Sequence, residues 1–241
     1  MFKIAVIIPA YNEEKSIADV VKSIHQIELG AEMTKTIIVV NDCSTDNTMK
    51  ISQKLDCISL NLSANLGIGG AVQTGLKYAF KNQFDYAVQI DGDGQHPAHE
   101  LPKLIKKMND IRADIVIGSR FLEKKGFQSS CFRRFGINYF KKLTALLCSI
   151  TITDATSGFR LFNKKAICLA NYYYPDEYPE PESIIYFHLN RLIIAETPVS
   201  MIERKAGKSS IGFFASFYYM LKVTLAVMFT YIKVKYSPKK I

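Results

Sequence analysis

No two cysteines stand in a C-x-x-C spacing, and the five present, Cys43, Cys57, Cys131, Cys148 and Cys168, are odd in number and scattered. That distribution supports neither a disulfide framework nor a zinc knuckle, and a reducing cytosol suits it best. No small-residue cleavage site follows the first apolar run, which stops at Pro9, so "KIAVIIPA" is expected to be a first strand and not a secretory signal. Histidine is scarce. His96 and His99 form H-x-x-H around Pro97 without a nearby Cys or third His, which fits polar residues at a helix start better than zinc; His25 and His188 fall at ordinary positions in helical patterns. Acidic residues are missing altogether from Arg204 to Ile241, a stretch with eight Lys or Arg, so this tail carries most of the net charge of +9. A second basic group comprises Lys124, Lys125, Arg133, Arg134, Lys141 and Lys142. Such surfaces attract phosphates.

What is present is enough to build a core. With 241 residues and 48% hydrophobic content, the chain is expected to form one α/β domain with an appendage. β-branched runs, "KIAVIIPA", "KTIIVVND", "CISLNLS", "YAVQIDGD" and "ADIVIGSRF", alternate with helical patterns. One of these, "SIADVVKSIHQI", puts Ile17, Val20, Val21 and Ile24 on one face; "STDNTMKISQKL" is capped by Ser44 or Thr45; "GIGGAVQTGLKYAFKN" and "HELPKLIKKMN" follow. "SIIYFHLNRLIIA" reads as a helix opened by Glu182 after Pro181. Strand and helix alternate from residue 3 to about 121, which predicts a largely parallel sheet flanked by helices, with ligands at the carboxyl ends of its strands.

The polar motifs fall at those ends: "PAYNEE" after the first strand, "NDCSTDNT" after the second, "DGDG" after the fourth and "GSRF" after the fifth. Asp91 and Asp93 repel one another unless a cation lies between them, and hard carboxylate oxygens suit Mg²⁺ or Mn²⁺, which take few protein ligands when a diphosphate supplies the rest. Gly92 and Gly94 leave room for close backbone approach. A turn in which the aspartates only bind backbone amides is the competing reading. "GIGGAVQTG" follows the third strand and not the first, so it lacks the context of a dinucleotide fingerprint. Cys43 beside Asp42 has no base next to it and is read as packing.

Taken together, "IIPAYNEE" (7–14), "VVNDCSTDNT" (39–48), "NLGIGGAVQTGL" (65–76), "QIDGDGQHP" (89–97), "IGSRF" (117–121), "DATSGFRLF" (154–162) and "ERKAGKSS" (203–210) resemble the inverting glycosyltransferase family 2, and within it the polyprenyl-phosphate sugar transferases. The resemblance implies a GT-A type, Rossmann-like fold. It implies that Pro9, Ala10, Tyr11, Glu13, Asp42 and Gly69, with Gly92 and Arg120, hold a nucleotide-sugar, and that Asp91, Asp93 and Gln95 hold the metal. It places Arg120, Arg133, Arg134, Arg204, Ser209 and Ser210 around an acceptor phosphate. Asp154, Glu182 and Arg204 join the two aspartates as candidate catalytic groups, and Glu180 is an alternative to Glu182.

Displacing a nucleoside diphosphate builds negative charge on the leaving oxygens, which a divalent ion and Arg or Lys can stabilise without a proton donor. A lipid monophosphate acceptor, with a second pKa of about 6, is largely dianionic at neutral pH and needs cations more than a base. The preferred reading is transfer from a UDP-sugar, UDP-glucose or UDP-N-acetylglucosamine, to a polyprenyl phosphate at the cytoplasmic membrane face. Transfer to a sugar hydroxyl, with Asp154 or Glu182 as base, stays open. A non-catalytic phosphate- or nucleic-acid-binding module is the alternative of another class; the D-x-D pair is superfluous to it, and no nucleic-acid partner is expected.

The tail sets the expected location. In "IGFFASFYYMLKVTLAVMFTYIKVKYSPKK", Lys222 would cost about 2.5 to 3.5 kcal/mol at the centre of a span. A catalytic domain over 1–210 and a basic, amphipathic, membrane-associating tail over 211–241 are therefore expected, the tail an interfacial helix or pair with Lys222 and Lys233 toward anionic headgroups. The competing reading is a C-terminal helix packed on the domain's own core or on a dimer partner. Partners are the donor, the acceptor and the membrane surface, with a small membrane subunit and self-association left open.

Overall fold

The computed structural model describes residues 1–123, 131–176, 179–200 and 213–236. Seven strands form one sheet: β1 (Phe2–Ala10), β2 (Met33–Asn41), β3 (Ile58–Asn61), β4 (Tyr86–Gln89), β5 (Ile115–Ser119), β6 (Arg160–Asn163) and β7 (Ile194–Pro198), in the order β3-β2-β1-β4-β6-β5-β7. All run parallel except β6, which is antiparallel to both β4 and β5. The sequence reading has no counterpart to β6, a short strand on the far side of a glycine-containing loop.

Side chains of β1 alternate between two cores, as a strand buried on both faces requires. Ile4, Val6 and Ile8 pack with α1 (Ile17–His25) and α4 (Leu101–Ile111), joined by Ile51 of α2 (Thr48–Ser52). Ala5 and Ile7 pack with α3 (Gly67–Lys81), α5 (Cys131–Cys148), α6 (Lys164–Tyr172), α7 (Pro179–Leu189) and α8 (Phe213–Tyr236). Helix α1 buries the four residues its periodicity names. Helix α2 opens differently from the expectation: the Asp46 carboxylate, not Ser44 or Thr45, accepts from Thr48 N at 2.9 Å.

The run read as one helix over 183–195 divides. Helix α7 ends at Leu189, Arg191 takes φ 63°, Leu192 N bonds back to Phe187 O at 3.1 Å, and β7 begins at Ile194. A left-handed residue closing the last turn is a common helix stop, and here it converts an apolar run into an edge strand.

Helix α8 is a single helix packed on α7. Its Val223 and Val227 belong to the same core as α3, α6 and α7, and the expected boundary at 210/211 lies outside the described residues. Tyr139 of α5 meets Thr224 at 2.9 Å, and Thr230 donates to the buried carboxylate of Glu182 at 2.6 Å. The opposite face stays apolar and open: Leu221, Leu225, Met228, Phe229, Ile232 and Tyr236 recur at helical spacing, all exposed. Among the described residues no helix is long and apolar enough to cross a membrane.

Helix α3 starts under the segment 175–176. A Cβ on Gly69 would fall 2.0 Å from the Asp176 carbonyl oxygen and 2.3 Å from that of Pro175. Alanine is favoured over glycine by about 1 kcal/mol in a helix, but overpacking against backbone costs about 1 to 3 kcal/mol. Gly69→Ala is therefore expected to lower the urea midpoint of unfolding; an unchanged or raised midpoint would show that segment 175–176 yields freely.

Candidate active site

Register brings the functional residues to one rim of the sheet. Ala10 of β1 lies beside Asn41 of β2, Ile7 beside Gln89 of β4, and Arg160, at the start of antiparallel β6, lies between Gln89 and Ile117 of β5. The carboxyl ends of β1, β2, β4 and β5 and the amino end of β6 thus share one edge, as a ligand crevice in an α/β sheet demands.

The loops after β1 and β2 are zipped together. Asn12, at φ 56°, accepts from Thr45 N at 2.8 Å, Glu13 N donates to the Thr48 hydroxyl at 2.8 Å, and Glu14 accepts from Asn47 N at 3.1 Å. This leaves Tyr11 exposed beside Pro9 and Ala10, which are buried at the strand end. Glu13 is partly buried and accepts from Ser16 Oγ at 2.8 Å. Asp42 is buried, and its Oδ1 accepts from Leu66 N at 2.7 Å, tying the β2 end to the first turn of α3. Gly69, placed by the resemblance among nucleotide contacts, instead faces the chain's own carbonyls at 175 and 176.

Asp91 and Asp93 follow β4, both partly buried. Asp93 Oδ1 accepts from Gln95 N at 2.9 Å across a turn in which Gly94 has φ +76°, and buried Gly92 packs toward the Pro9 carbonyl. Backbone capping, the competing reading of the motif, therefore occupies one oxygen of Asp93. The donor set is all oxygen, with Gln95 partly buried beside the pair, and among the described residues no group of three or more His, Cys, Asp or Glu forms a metal cage. An all-oxygen set with two carboxylates matches Mg²⁺ or Mn²⁺, which complete their shells with water and phosphate oxygens.

Two arginines stand at the same edge of the sheet, and Arg120 feels the charge of Asp91. Arg120 binds Asp154 through two parallel bonds, Nε to Oδ2 at 2.7 Å and Nη2 to Oδ1 at 2.6 Å, and Asp154 is fully buried. Burial opposes the Arg120 charge, but the Asp154 carboxylate outweighs it and the guanidinium is held above its ordinary value. Glu196 of β7 supports the loop, accepting from Thr153 N and Asp154 N at 2.7 and 2.9 Å. With both Asp154 oxygens bound to Arg120, this carboxylate is built as a holder of that cation. Arg160, buried, donates to the carbonyls of Ser157, Ala155 and Glu180 and to Ser183 Oγ, joining the 154–157 loop to the start of α7.

The two glutamates of α7 point apart, as residues two positions apart on a helix do. Glu182 accepts from Tyr173 and from Thr230 of α8; burial, then this carboxylate, pushes the Tyr173 phenol up to about 12. Glu180 instead senses Arg160, Asp91 and Arg120, and burial raises its carboxyl against the pull of Arg160. Of the two, Glu180 is the one that feels the charges of Asp91 and Arg120, while Glu182 is bonded to Tyr173 and Thr230. Arg133 and Arg134 lie in the first turns of α5, and their side chains, like Arg204, Ser209 and Ser210 entirely, are outside the described residues. His96, read as a helix-start residue, is buried and accepts from Asp91 N through Nδ1 at 3.0 Å. The only sequence signal for it is its place five residues after Asp91. A depression of about 1020 Å³ lies elsewhere, between the ends of α3, α6 and α7 at the amino ends of the strands, and takes no part in this rim.

Comparison with known proteins agrees with the geometry. The family model described as glycosyl transferase family 2 matches residues 5–169. UDP-N-acetylglucosamine--dolichyl-phosphate N-acetylglucosaminyltransferase of Methanococcus voltae is 33% identical over 219 residues, 83% of this chain and 85% of that protein. Polyprenol monophosphomannose synthase of Mycolicibacterium smegmatis is 25% identical over 217 residues, covering 86% and 80%. Among solved structures, glucosyl-3-phosphoglycerate synthase of Mycobacterium tuberculosis, in complex with Mn²⁺, uridine diphosphate and glucosyl-3-phosphoglycerate, superposes with a TM-score of 0.69 over 99% of this chain and 82% of that one, at 19% identity. S. aureus TarS with UDP-GlcNAc gives 0.64 over 94% and 66%, at 18% identity. Both share the fold.

Removing one member of a buried ion pair costs about 3 to 5 kcal/mol because the other charge is left uncompensated. Asp154→Leu alone is expected to destabilise by that order in urea unfolding, and Arg120→Met in the same chain to restore much of the loss. Additive losses in the double variant would contradict the pairing.

Proposed function

The chain belongs to glycosyl transferase family 2, and from that premise we propose that it transfers a sugar from a UDP-sugar, with UDP-N-acetylglucosamine preferred, to a polyprenyl phosphate at a membrane surface. The observation that carries the reading is the acidic pair Asp91 and Asp93 on a rim that also holds Arg120 and Arg160. The Methanococcus voltae relative, by its name, uses this donor and a dolichyl phosphate.

Asp91, Asp93 and Gln95 would hold a divalent ion, which when bound supplies charge stabilisation for the departing diphosphate; the choice between Mg²⁺ and Mn²⁺ is open, a Mn²⁺ complex being described for a protein of the same fold. The loops carrying Pro9, Ala10, Tyr11, Glu13 and Asp42 flank the same edge and are proposed to enclose a base and ribose. Arg120, fixed by Asp154, presents positive charge to the phosphates, with Arg133, Arg134, Arg204, Ser209 and Ser210 proposed to join it. An acceptor phosphate that is already dianionic attacks without a protein base, so Glu180 need only orient a ligand. A second reading, transfer to a sugar hydroxyl, draws on Glu180, whose raised carboxyl would suit a general base.

The exposed stripe of α8 is proposed to lie on the bilayer, where the acceptor's chain is anchored. Leu221, Leu225, Met228, Phe229 and Ile232 are apolar and exposed, with Lys233 and Lys235 at the helix end. Lys233 also stacks over the Tyr173 ring at 5.1 Å, so it links α8 to the domain as well as facing solvent. Attachment on the inner face of the cell membrane is proposed together with the preferred acceptor; a small membrane subunit or a second copy seated on the stripe is the competing arrangement.

Purified protein with Mn²⁺ or Mg²⁺, a panel of nucleotide sugars and a short polyprenyl phosphate is expected to yield a lipid-linked sugar by mass spectrometry. Asp93→Ala should abolish it, whereas Glu180→Gln should cost less than about tenfold; a loss of about 10² to 10⁴ for Glu180→Gln would favour a base-catalysed hydroxyl reaction. In a flotation assay with phosphatidylglycerol vesicles, the exposed double change Leu225→Glu and Phe229→Glu should release the protein from the lipid fraction. Equal flotation of this variant and the parent would remove α8 from the account.

A further inference from the structure

The Asp91 carboxylate is approached by protein on three sides. Gln89, the last residue of β4, donates from Nε2 to Asp91 Oδ1 at 3.1 Å. His96 faces the other oxygen, its Nε2 3.5 Å from Oδ2. The third side is closed by backbone: a Cβ on Gly158 would fall 2.7 Å from Gln89 Nε2 and 3.2 and 3.3 Å from the two Asp91 oxygens. The imidazole is itself enclosed, 7% exposed as a residue and stacked on Phe159 with ring centroids 5.3 Å apart and planes 19° from parallel.

The hydrogen bonds assign the tautomer. Nδ1 accepts from Asp91 N, so the ring proton resides on Nε2, the nitrogen turned to the carboxylate. One side chain therefore meets both ends of one aspartate, accepting from its backbone and turning its Nε2 toward its carboxylate at 3.5 Å. An unconstrained aspartate chooses among three χ1 wells and a broad χ2, and repulsion from Asp93 would drive it away from the shared site. Asp93 has its own support in the Gln95 turn; Asp91 has none within its turn beyond these neighbours.

We infer that His96 and Gln89 are positioning residues that hold the Asp91 carboxylate in one orientation toward the donor diphosphate, and so set the affinity of the site for its divalent cation. This rests on the metal-dependent reading above. Groups that orient a metal's ligands change metal affinity or activity by about 10 to 100-fold when removed, and the cause is preorganisation: the cation meets a carboxylate whose rotamer is already chosen.

Three substitutions of the full-length protein separate the two contacts. In His96→Asn the amide oxygen stands where Nδ1 stood and can keep the bond from Asp91 N, but nothing reaches the carboxylate. In His96→Gln the longer amide can place its nitrogen where Nε2 stood. Gln89→Met removes the other donor at similar volume. The readout is Mn²⁺ binding in the presence of UDP, from the electron paramagnetic resonance signal of free Mn²⁺, together with kcat at saturating Mn²⁺ and the melting midpoint. His96→Asn and Gln89→Met are expected to weaken Mn²⁺ binding by about 10 to 100-fold, with kcat at saturating metal falling less than the affinity and the melting midpoint close to that of the parent. His96→Gln should recover most of the affinity lost in His96→Asn. Unchanged Mn²⁺ affinity in folded His96→Asn and Gln89→Met overturns the inference, as does His96→Gln binding no better than His96→Asn. Asp93→Ala serves as the control: if it too leaves Mn²⁺ binding intact, the metal reading itself has failed, whereas loss in Asp93→Ala alone rejects only the positioning roles.

Discussion

Two carboxylates one residue apart at the end of a buried strand are the constraint from which the rest of the site follows. Unit charges of like sign 4 Å apart near a protein surface repel by about 4 kcal/mol at an effective dielectric of 20, and a chain tolerates such a pair only if opposite charge gathers around it. The sheet provides that gathering. Inserting antiparallel β6 between β4 and β5 brings Arg160 into register with Gln89 and sets Gly158 against the Asp91 oxygens. The end of β5 then carries Arg120 on the same edge, held by a carboxylate that is fully buried. Cations fixed by the fold, and the mobile one proposed to arrive with a donor, are two answers to the same electrostatic problem.

A second layer ties the site to the outer helix. Arg160 binds the Glu180 carbonyl at the start of α7, Glu182 one half-turn on accepts from Thr230 of α8, and Tyr173 completes that link. Helix α8 consequently has two apolar faces with different fates: Val223 and Val227 are part of the domain core, whereas Leu225 and Phe229 remain open. An apolar helix face normally has a partner. The domain occupies one, and a bilayer bearing the acceptor is the occupant proposed for the other.

Much of this was legible in the residues themselves. Strands β1 to β5 and helices α1, α3 and α4 follow from period-two and helical spacing, because each has one or two faces that must be buried, and Ile17, Val20, Val21 and Ile24 are buried as their spacing requires. Strand β6 was not legible, since four residues between a loop and a helix carry too little pattern. The division of 183–195 into α7 and β7 turns on the backbone of one arginine, Arg191, and apolar periodicity alone does not separate a short strand from a helix. At the site, the aspartates could be read from spacing, but the contrasting surroundings of Glu180 and Glu182 depend on which way α7 is rotated. The bond from Asp91 N to His96 and the stacking on Phe159 exist only once the loop is folded, and a spacing of five residues alone does not announce them.

The most direct test of the central claim is a crystal of the protein grown with Mn²⁺ and UDP and measured at the manganese absorption edge. The account predicts an anomalous peak bonded to Asp93 and in reach of Asp91, with the diphosphate of UDP on its other side and the uridine between the loops after β1 and β2. A bound UDP with no manganese peak at that place, or a peak remote from both aspartates, would contradict it.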